Sequence, residues 1–126
     1  MPSSYELKVI NLLKGNCRYK REVTFSDLHG YKTHPLRFDF GIYNNLNQLI
    51  YLIEVDGEFH FNKKDKLRYI KQKGYDEKKN SYCLARGITL IRIPYWEIKD
   101  LTFYKIFHTP HFVVTNKFHN SFLTPP

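Results

Sequence analysis

The fold is limited above all by a nearly continuous apolar segment at residues 88–93, which suits a β-strand buried on both faces. Earlier in the chain, segments 36–43 and 48–55 are rich in β-forming residues, and the turn-forming residues 44–47 between them predict a β-hairpin. A helix is predicted from about residue 76 to residue 85, between the hairpin and the buried strand. This order predicts an α/β sandwich in which a mixed β-sheet is flanked by helices.

The remaining segments fit one domain, the size expected for a chain of 126 residues. Residues 4–14 carry apolar side chains at helical spacing and predict an amphipathic helix, and residues 18–25 predict a short strand or extended segment. The glycine and proline of residues 26–35 indicate a loop. Residues 96–107 predict a final helix, and residues 108–126 predict an irregular tail packed on the domain.

Charge is the most informative part of the composition. The chain has 20 Lys and Arg against 12 Asp and Glu, which gives a formal net charge of +8 at pH 7. Nucleic acid is the usual partner of so basic and aromatic a protein, although a lysine-rich genome would produce the same composition. We therefore expect a nucleic-acid partner.

The composition also excludes several classes of protein. An aromatic fraction of 17% argues against intrinsic disorder. The two cysteines, Cys17 and Cys83, are too few for a dense disulfide framework or a four-thiolate zinc site. No apolar run approaches the ~20 residues of a membrane-spanning helix, and the N-terminus lacks a signal-peptide core. We expect a protein of the reducing cytoplasm with no membrane partner.

Three carboxylates interrupt the predicted strands. Asp39 stands between two phenylalanines, and Glu54 and Asp56 follow an apolar run, where strand alternation directs both to the same face. The hairpin brings Asp39 and Glu54 together, and two carboxylates at one point would bind Mg²⁺. Alternatively, Asp39 pairs with Arg37 or another basic residue, and Glu54 only marks the end of its strand before the Gly57 turn. Because an unpaired buried carboxylate is costly, we favour the metal site.

The segments Leu-Arg-Phe-Asp-Phe at 36–40 and Ile-Glu-Val-Asp-Gly-Glu-Phe-His at 53–60 resemble the PD-(D/E)XK phosphodiesterase superfamily. The most similar branch contains the very short patch repair endonuclease and small homing endonucleases that share an EDxHD motif. Residues 75–93 also resemble that branch, in which an Asp opens a helix that leads through Gly into a strand with a late Arg or Trp. The resemblance covers about residues 4–98 and implies a restriction-endonuclease-like sandwich.

The resemblance also implies a set of site residues. Glu6 matches the Glu of the motif, Asp39 its central Asp, His60 its His and Asp76 its final Asp. The unspecified position falls near Val55, whose backbone carbonyl would join the carboxylates as a metal ligand. The implied cofactor is Mg²⁺, with Mn²⁺ as a substitute.

The chain departs from the superfamily pattern at three places. Asp56 stands where most members carry a lysine, and Lys79 on the following helix is the best candidate to replace it. Phe38 stands where a proline usually precedes the Asp. The structural zinc site of the repair enzyme has no counterpart, because neither cysteine lies in a His/Cys cluster.

Four of the candidate residues have an alternative interpretation. His60 would hold a metal-bound water or act as general acid or base, since imidazole titrates near neutral pH, or else it is an ordinary turn residue. Asp76 either orients His60 or caps its helix. Glu6 either reaches the active site or completes a capping box with the serine three residues earlier. Asp56 either binds a second metal or stabilises the turn at Gly57.

A basic stretch follows the candidate site. Residues 62–79 contain eight basic and three acidic residues interleaved with aromatic ones, a pattern suited to phosphate contacts and base stacking. The alternative is a solvated loop or short helix. The predicted DNA contacts are Lys63, Lys64, Lys66, Arg68, Lys71 and Lys73. We interpret His108, His111 and His119 as scattered surface residues, because their spacing fits no zinc pattern.

These observations predict a metal-dependent DNA endonuclease that hydrolyses phosphodiester bonds, by nicking or by double-strand cleavage. Such an enzyme would be a free-standing homing-type or phage-encoded protein. So small a nuclease needs either a homodimer or a local DNA feature for its specificity. The alternatives are a catalytically inactive nucleic-acid-binding module on the same fold, or a structural or inhibitory protein that would leave the acidic cluster unexplained.

Overall fold

A computed structural model describes residues 1–108 and shows an α/β arrangement with a four-stranded mixed sheet and flanking helices. Its strands are β1 (Arg18–His29), β2 (Pro35–Tyr43), β3 (Leu49–Asp56) and β4 (Thr89–Pro94). Its α-helices are α1 (Ser4–Leu13), α2 (Lys66–Arg86) and α3 (Phe103–His108). Short 3₁₀ helices lie at Tyr31–Thr33, Glu58–His60 and Tyr95–Glu97.

The sheet has the order β1-β2-β3-β4. β1, β2 and β3 are antiparallel neighbours, and β4 lies parallel to β3 after the crossover through α2. A parallel pair needs such a crossover, so the predicted order of hairpin, helix and buried strand leads directly to a mixed sheet. The predicted hairpin and the predicted α/β class are both confirmed.

Helices cover both faces of the sheet, which explains why β3 and β4 are apolar on both sides. Val9 of α1 packs with Ile53, Ile91 and Ile106 in one buried cluster. On the opposite face, α2 supplies Cys83 to a second cluster, whose other members include Phe38, Leu52 and Leu90. Asp39 and Glu54 lie just beyond the last β2–β3 pair, Phe40 and Ile53.

In β1 and β2 the regular alternation of side chains between the two faces of the sheet is interrupted at Glu22 and Asp39. Phe38 and Phe40 stand two positions apart, so simple alternation would place them on one face, yet they belong to different clusters. The pairs Arg21–Phe40 and Val23–Phe38 place Glu22 opposite Asp39, and Glu22 has a left-handed φ of 52°. The local rotation of both strands therefore occurs at Asp39.

Three predicted boundaries are wrong. The first four residues of the predicted loop at 26–35 are strand, because β1 runs on to His29 and buries Leu28 in the second cluster. The helix predicted from about residue 76 begins ten residues earlier, after the N-cap Asp65. The final helix predicted at 96–107 is two short pieces, the second of which is α3. Packing of separate apolar residues, Ile98, Leu101 and Ile106, holds this segment instead of one continuous helix.

None of the helices within residues 1–108 is long and apolar enough to cross a membrane. His108, the first residue of the predicted tail, ends α3, and the rest of the tail, with His111 and His119, lies outside the described residues.

Candidate active site

Two carboxylates meet where β2 and β3 separate. Strand pairing ends at Phe40 and Ile53, and beyond it side chains take over the backbone hydrogen bonds. The Asp39 N–H donates to Glu54 Oε1 at 3.2 Å, and the Val55 N–H donates to Asp39 Oδ2 at 2.7 Å. The predicted convergence of Asp39 and Glu54 is therefore present. Each carboxylate accepts a hydrogen bond from a backbone N–H of the neighbouring strand, where a backbone carbonyl would accept it in a regular sheet.

The two carboxylates are electrostatically strained. Burial, then the nearby Glu54 charge, raises the pKa of Asp39 to about 8. Burial also raises the pKa of Glu54, despite the opposing effect of Lys79. A bound cation would relieve this cost, because it would stabilise both ionised forms.

Lys79 of α2 reaches the same carboxylates. Its Nζ lies 3.1 Å from Glu54 Oε1 and 5.3 Å from the centre of the Phe38 ring. The side chain is 9% exposed, so the ion pair is buried. The structure therefore brings to Glu54 the lysine proposed as the replacement, although 25 positions separate the two in the chain.

Arg37, by contrast, does not pair with Asp39. It contacts Glu22 at 4.0 Å on the exposed surface, so the alternative explanation of Asp39 by this arginine is wrong.

Glu6 both caps α1 and contributes charge near Asp39. The Glu6 N–H donates to Ser3 Oγ and the Ser3 N–H donates to Glu6 Oε1, which completes the capping box. The other carboxylate oxygen, Oε2, lies 3.5 Å from Arg21 Nη2. The Glu6 charge also contributes to the raised pKa of Asp39. Capping and a position near the site are thus compatible in one residue.

A second cluster forms around His60. Its Nδ1 lies 2.9 Å from Asp76 Oδ2 and 3.5 Å from Asp56 Oδ1. Arg92 Nη1 lies 2.9 Å from Asp56 Oδ1 and 3.5 Å from Asp76 Oδ1. The imidazole and the guanidinium therefore share two buried carboxylates.

The two aspartates respond differently to this environment. Burial raises the pKa of Asp56 and outweighs the charges of Arg92 and His60. At Asp76 burial acts in the same direction, but the hydrogen bond with His60 and the charge of Arg92 outweigh it and lower the pKa. Asp76 is therefore the ionised acceptor that orients His60.

This orientation decides which ring nitrogen of His60 is useful. An N–H at Nδ1 donates to Asp76, so the neutral ring carries its acceptor lone pair on Nε2. A pocket of about 250 Å³ is lined by Glu6, Val55 and His60, with Arg68 and Gln72. Three of the positions implied by the EDxHD resemblance thus line one pocket.

The structure decides one alternative left open by the sequence. Asp76 does not cap its helix, because it lies well inside α2 and the Asp65 side chain accepts the capping hydrogen bond from Arg68 N–H. Asp56 is held by Arg92 and also contacts His60.

Sequence reasoning missed Arg92 as a site residue. Its signal was present, because Arg92 is the one charged residue in the apolar segment 88–93 and occupies the β4 position paired with Glu54. The same argument that singled out Glu54, a charge in an otherwise buried strand, applies to it. Arg92 also donates from Nε to Asn80 Oδ1 at 2.9 Å, which ties β4 to α2.

Four of the predicted DNA-contact residues lie on the N-terminal half of α2, and Lys63 and Lys64 lie in the turn just before it. They are all exposed, and Arg68 also lines the pocket beside His60. Two of the lysines, Lys63 and Lys73, lie 5.9 and 5.6 Å from the centre of the Tyr69 ring. A basic surface therefore adjoins the candidate active site.

The donor set at Asp39 and Glu54 fits magnesium better than zinc. Within residues 1–108, no group of three or more His, Cys, Asp or Glu side chains is arranged to hold a metal ion. Mg²⁺ is commonly bound by only one or two carboxylates, with waters and substrate phosphates as its other ligands. The pair Asp39 and Glu54 meets this requirement, whereas a tetrahedral zinc site needs more protein ligands.

The two roles of Glu6 can be separated by mutation. Glu6→Gln keeps a capping side chain at N3 and loses a partly exposed ion pair, so we expect stability to change by less than about 1 kcal/mol. For the nuclease that the motif resemblance implies, we expect the cleavage rate to fall about tenfold or more, because the carboxylate charge is lost from the site. Thermal denaturation and a cleavage assay measure the two effects.

Ser3→Ala is the matched control for the cap. It should cost about 1 kcal/mol of stability through loss of the N-cap, which gives the size of the capping effect alone. Equal cleavage by Glu6→Gln and the wild type would restrict Glu6 to capping.

No protein-family model, no curated protein and no solved structure matches this chain.

Proposed function

We propose that this protein is a Mg²⁺-dependent DNA endonuclease with a restriction-endonuclease-like fold, acting in the cytoplasm. The observation that carries the proposal is the meeting of Asp39, Glu54 and Lys79 where β2 and β3 separate. The His60–Asp76 pair beside the pocket and the motif resemblance support the same chemistry. The mixed sheet between helices is compatible with the proposed fold.

In this proposal Asp39 and Glu54, with the Val55 carbonyl, hold Mg²⁺ or Mn²⁺. When bound there, the ion would supply Lewis-acid polarisation of a phosphate and would lower the pKa of water. Lys79 compensates the charge of Glu54 and holds that carboxylate in place. Burying the charged Glu54 carboxylate away from water costs free energy, and the ammonium group of Lys79 offsets part of this desolvation penalty.

His60 is the proton-transfer group. With Nδ1 held by Asp76, Nε2 can accept a proton from an attacking water or return one to the leaving oxygen. Arg92 acts as a positioning residue, because it holds both Asp56 and Asp76 against the imidazole. Water and substrate reach this group through the pocket that His60 lines.

The exposed basic residues of α2 and its approach would hold the DNA backbone. We expect that changing Lys63, Lys64 and Lys66 together to Ala weakens duplex binding and flattens its salt dependence. Each lost phosphate contact removes about 0.9 from the log–log slope, so three contacts remove up to about 2.7. Fluorescence anisotropy of a labelled duplex over a salt series measures the slope.

A control variant with the same loss of charge changes the exposed Lys14, Lys20 and Lys99 to Ala. These lysines lie outside α2 and its approach, so the slope should stay near the wild-type value. Equal slopes for the two triple variants would show that the α2 surface is not the DNA-binding surface.

The direct test of the proposal uses supercoiled plasmid incubated with the protein and Mg²⁺, Mn²⁺ or EDTA. We expect open-circular or linear DNA with either metal and intact plasmid with EDTA. Binding without cleavage under all three conditions would favour the inactive nucleic-acid-binding module instead. Dependence of the rate on the square of protein concentration would indicate a homodimer, and linear product would distinguish double-strand cleavage from nicking.

A further inference from the structure

A second pocket lies on the side of α2 next to the turn that follows β1. It has a volume of about 560 Å³ and is lined by Gly30, Tyr31, Lys71, Gly74, Tyr75 and Lys78. None of these residues lines the pocket at His60. The two pockets are therefore separate openings along the same helix.

Two aromatic rings and two ammonium groups converge on this second pocket. Lys71 Nζ lies 5.9 Å from the centre of the Tyr31 ring and 5.8 Å from the centre of the Tyr75 ring. Lys78 Nζ donates to the carbonyl oxygen of His29, which holds its charge at the pocket wall. Tyr31 is 65% exposed, so one wall of the pocket is open to solvent.

Glycines form the rest of the lining. A Cβ at Gly74 would meet no atom within 4 Å, so this glycine inside a helix borders open space. Helix interiors disfavour glycine relative to alanine, and the pocket lies where that side chain would project. At Gly30 a Cβ would lie 2.8 Å from Leu36 Cδ2 and 3.0 Å from Tyr75 Cε1, so the Tyr75 ring packs directly against the backbone.

The turn that carries Tyr31 has an unfavourable backbone. Lys32 has φ 52° and ψ 42°, and Thr33 has φ 64°. A β-branched residue rarely adopts this left-handed conformation, and such strain is found mainly at ligand-binding and functional sites. This backbone strain is independent of the pocket lining and points to the same place.

The lining determines what class of ligand would fit. Tyrosine rings favour a flat ring system, the two lysines favour an anion, and none of the wall residues within 1–108 is acidic. A nucleobase with its backbone phosphate has both properties. We propose that this pocket binds one nucleotide of an unpaired strand, with the base against Tyr31 and Tyr75 and the phosphate at Lys71 and Lys78.

The position of the pocket connects it to the candidate active site. Successive residues of an α-helix are rotated by about 100°, so Lys71 and Tyr75 lie beside Gln72 and Asp76 on neighbouring faces of α2. Gln72 donates to Asp76, which holds His60. The inference rests on the proposed function in one respect: the strand held here would be continuous with the strand that is cleaved.

The test is the binding of a labelled octamer of deoxythymidine in EDTA, compared with a blunt duplex. Gly74→Leu fills the pocket from the helix and should weaken octamer binding about 5- to 150-fold, the range expected for loss of one stacked base. Gly74→Ala is the smaller step at the same position: its methyl group meets no atom, so octamer binding should fall much less than in Gly74→Leu and the melting temperature should rise. Duplex binding should change less than twofold in both variants.

Two further measurements distinguish base recognition from simple charge attraction. An octamer of abasic sites keeps the phosphates and should bind at least fivefold more weakly than the thymidine octamer. Lys71→Gln should lower the log–log salt slope for the octamer by about 0.7. Tyr31→Ala, in an exposed turn, repeats the test if Gly74→Leu fails to fold, with the exposed Tyr104→Ala as its control.

Equal octamer binding by Gly74→Leu and Gly74→Ala would overturn the pocket assignment, as would equal binding of the abasic octamer. Because the binding assay contains EDTA, its outcome is independent of cleavage. Octamer binding that depends on position 74 in a protein that never cleaves plasmid would support the pocket and contradict the nuclease proposal. Plasmid cleavage by a protein whose octamer binding does not depend on position 74 would support the nuclease proposal and contradict the pocket assignment.

Discussion

Asp39→Asn is expected to abolish Mg²⁺-dependent cleavage and at the same time to make the folded protein more stable. The asparagine can still accept the hydrogen bond from the Val55 N–H, so the strand ends should keep their geometry. Loss of the ligand charge should lower the cleavage rate by about 10³-fold or more, because a metal ion at the reacting phosphate contributes several kcal/mol. DNA affinity should be largely retained.

The gain in stability follows from the pKa of Asp39. Because burial raises this pKa from 3.8 to about 8, the folded protein keeps a proton that the unfolded chain releases over that range. The free energy of unfolding therefore falls as the pH rises from about 4 to about 8. Asn has no such titration, so at pH 7 without metal we expect the variant to be more stable by about 2–4 kcal/mol.

Urea denaturation in EDTA between pH 5 and pH 8 measures this difference, and plasmid cleavage measures activity. Glu54→Gln is the informative comparison, because it also loses a ligand but leaves Lys79 buried without its carboxylate. That variant should be inactive and not stabilised. If only the Val55 carbonyl and Asp39 hold the metal, its loss of cleavage should be smaller. Near-wild-type cleavage by Asp39→Asn would refute the site assignment.

His60→Ala is expected to lower the cleavage rate by about 10²–10⁴-fold, the usual contribution of a positioned acid–base group. Metal binding should survive, because Asp39 and Glu54 lie outside the His60 cluster. The wild-type pH–rate profile should contain a limb that the variant lacks. Added imidazole should restore part of the rate, because the pocket that His60 lines is open to small molecules.

Asp76→Asn tests the orientation of the ring separately. An amide cannot offer His60 the ionised acceptor that Asp76 provides, so the rate should fall less than in His60→Ala, and imidazole should not rescue it. Its stability should be checked by denaturation, because Arg92 also contacts this carboxylate.

The competing scheme assigns the chemistry to Lys79, the candidate replacement for the lysine of the superfamily that the motifs resemble. The variant Lys79→Met would leave Glu54 as a buried unpaired charge and lower the free energy of unfolding by about 3–5 kcal/mol. The double variant Lys79→Met/Glu54→Gln, which removes both charges, is the control for this loss of stability. Normal cleavage by His60→Ala, together with a folded but inactive Lys79→Met, would show that the lysine carries the chemistry and that the role given to His60 is wrong.

The sequence alone was sufficient for the sheet and for the first pair of carboxylates. Because the connection is short, Asp39 and Glu54 were predicted at the same end of the hairpin, and the register shift between Ile42 and Tyr43 then sets Phe40 opposite Ile53. The apolar segment 88–93 required cover on both faces, and the intervening helix made a parallel crossover necessary. These features depend on local periodicity and on short connections.

Helix α2 shows where local patterns were insufficient. Its N-terminal half is dominated by exposed lysines and contains Gly74, so no apolar face marks a helix there. The helix begins at the Asp65 cap. Its contacts are made farther along, where Gln72 donates to Asp76 within the helix and Lys79 pairs with Glu54 of β3. The resulting helix carries the basic surface and both pockets.

Only the tertiary structure decided which charges share a site. Lys79 reaches Glu54 across 25 positions, and Arg92 reaches Asp56 across 36. The facing of Phe38 and Phe40 likewise depends on the backbone of Glu22 in another strand. Periodicity specifies which face of its own element a residue occupies. The pairing of buried charges depends on how the elements pack, because a buried charge is stable only beside a partner that packing alone can supply.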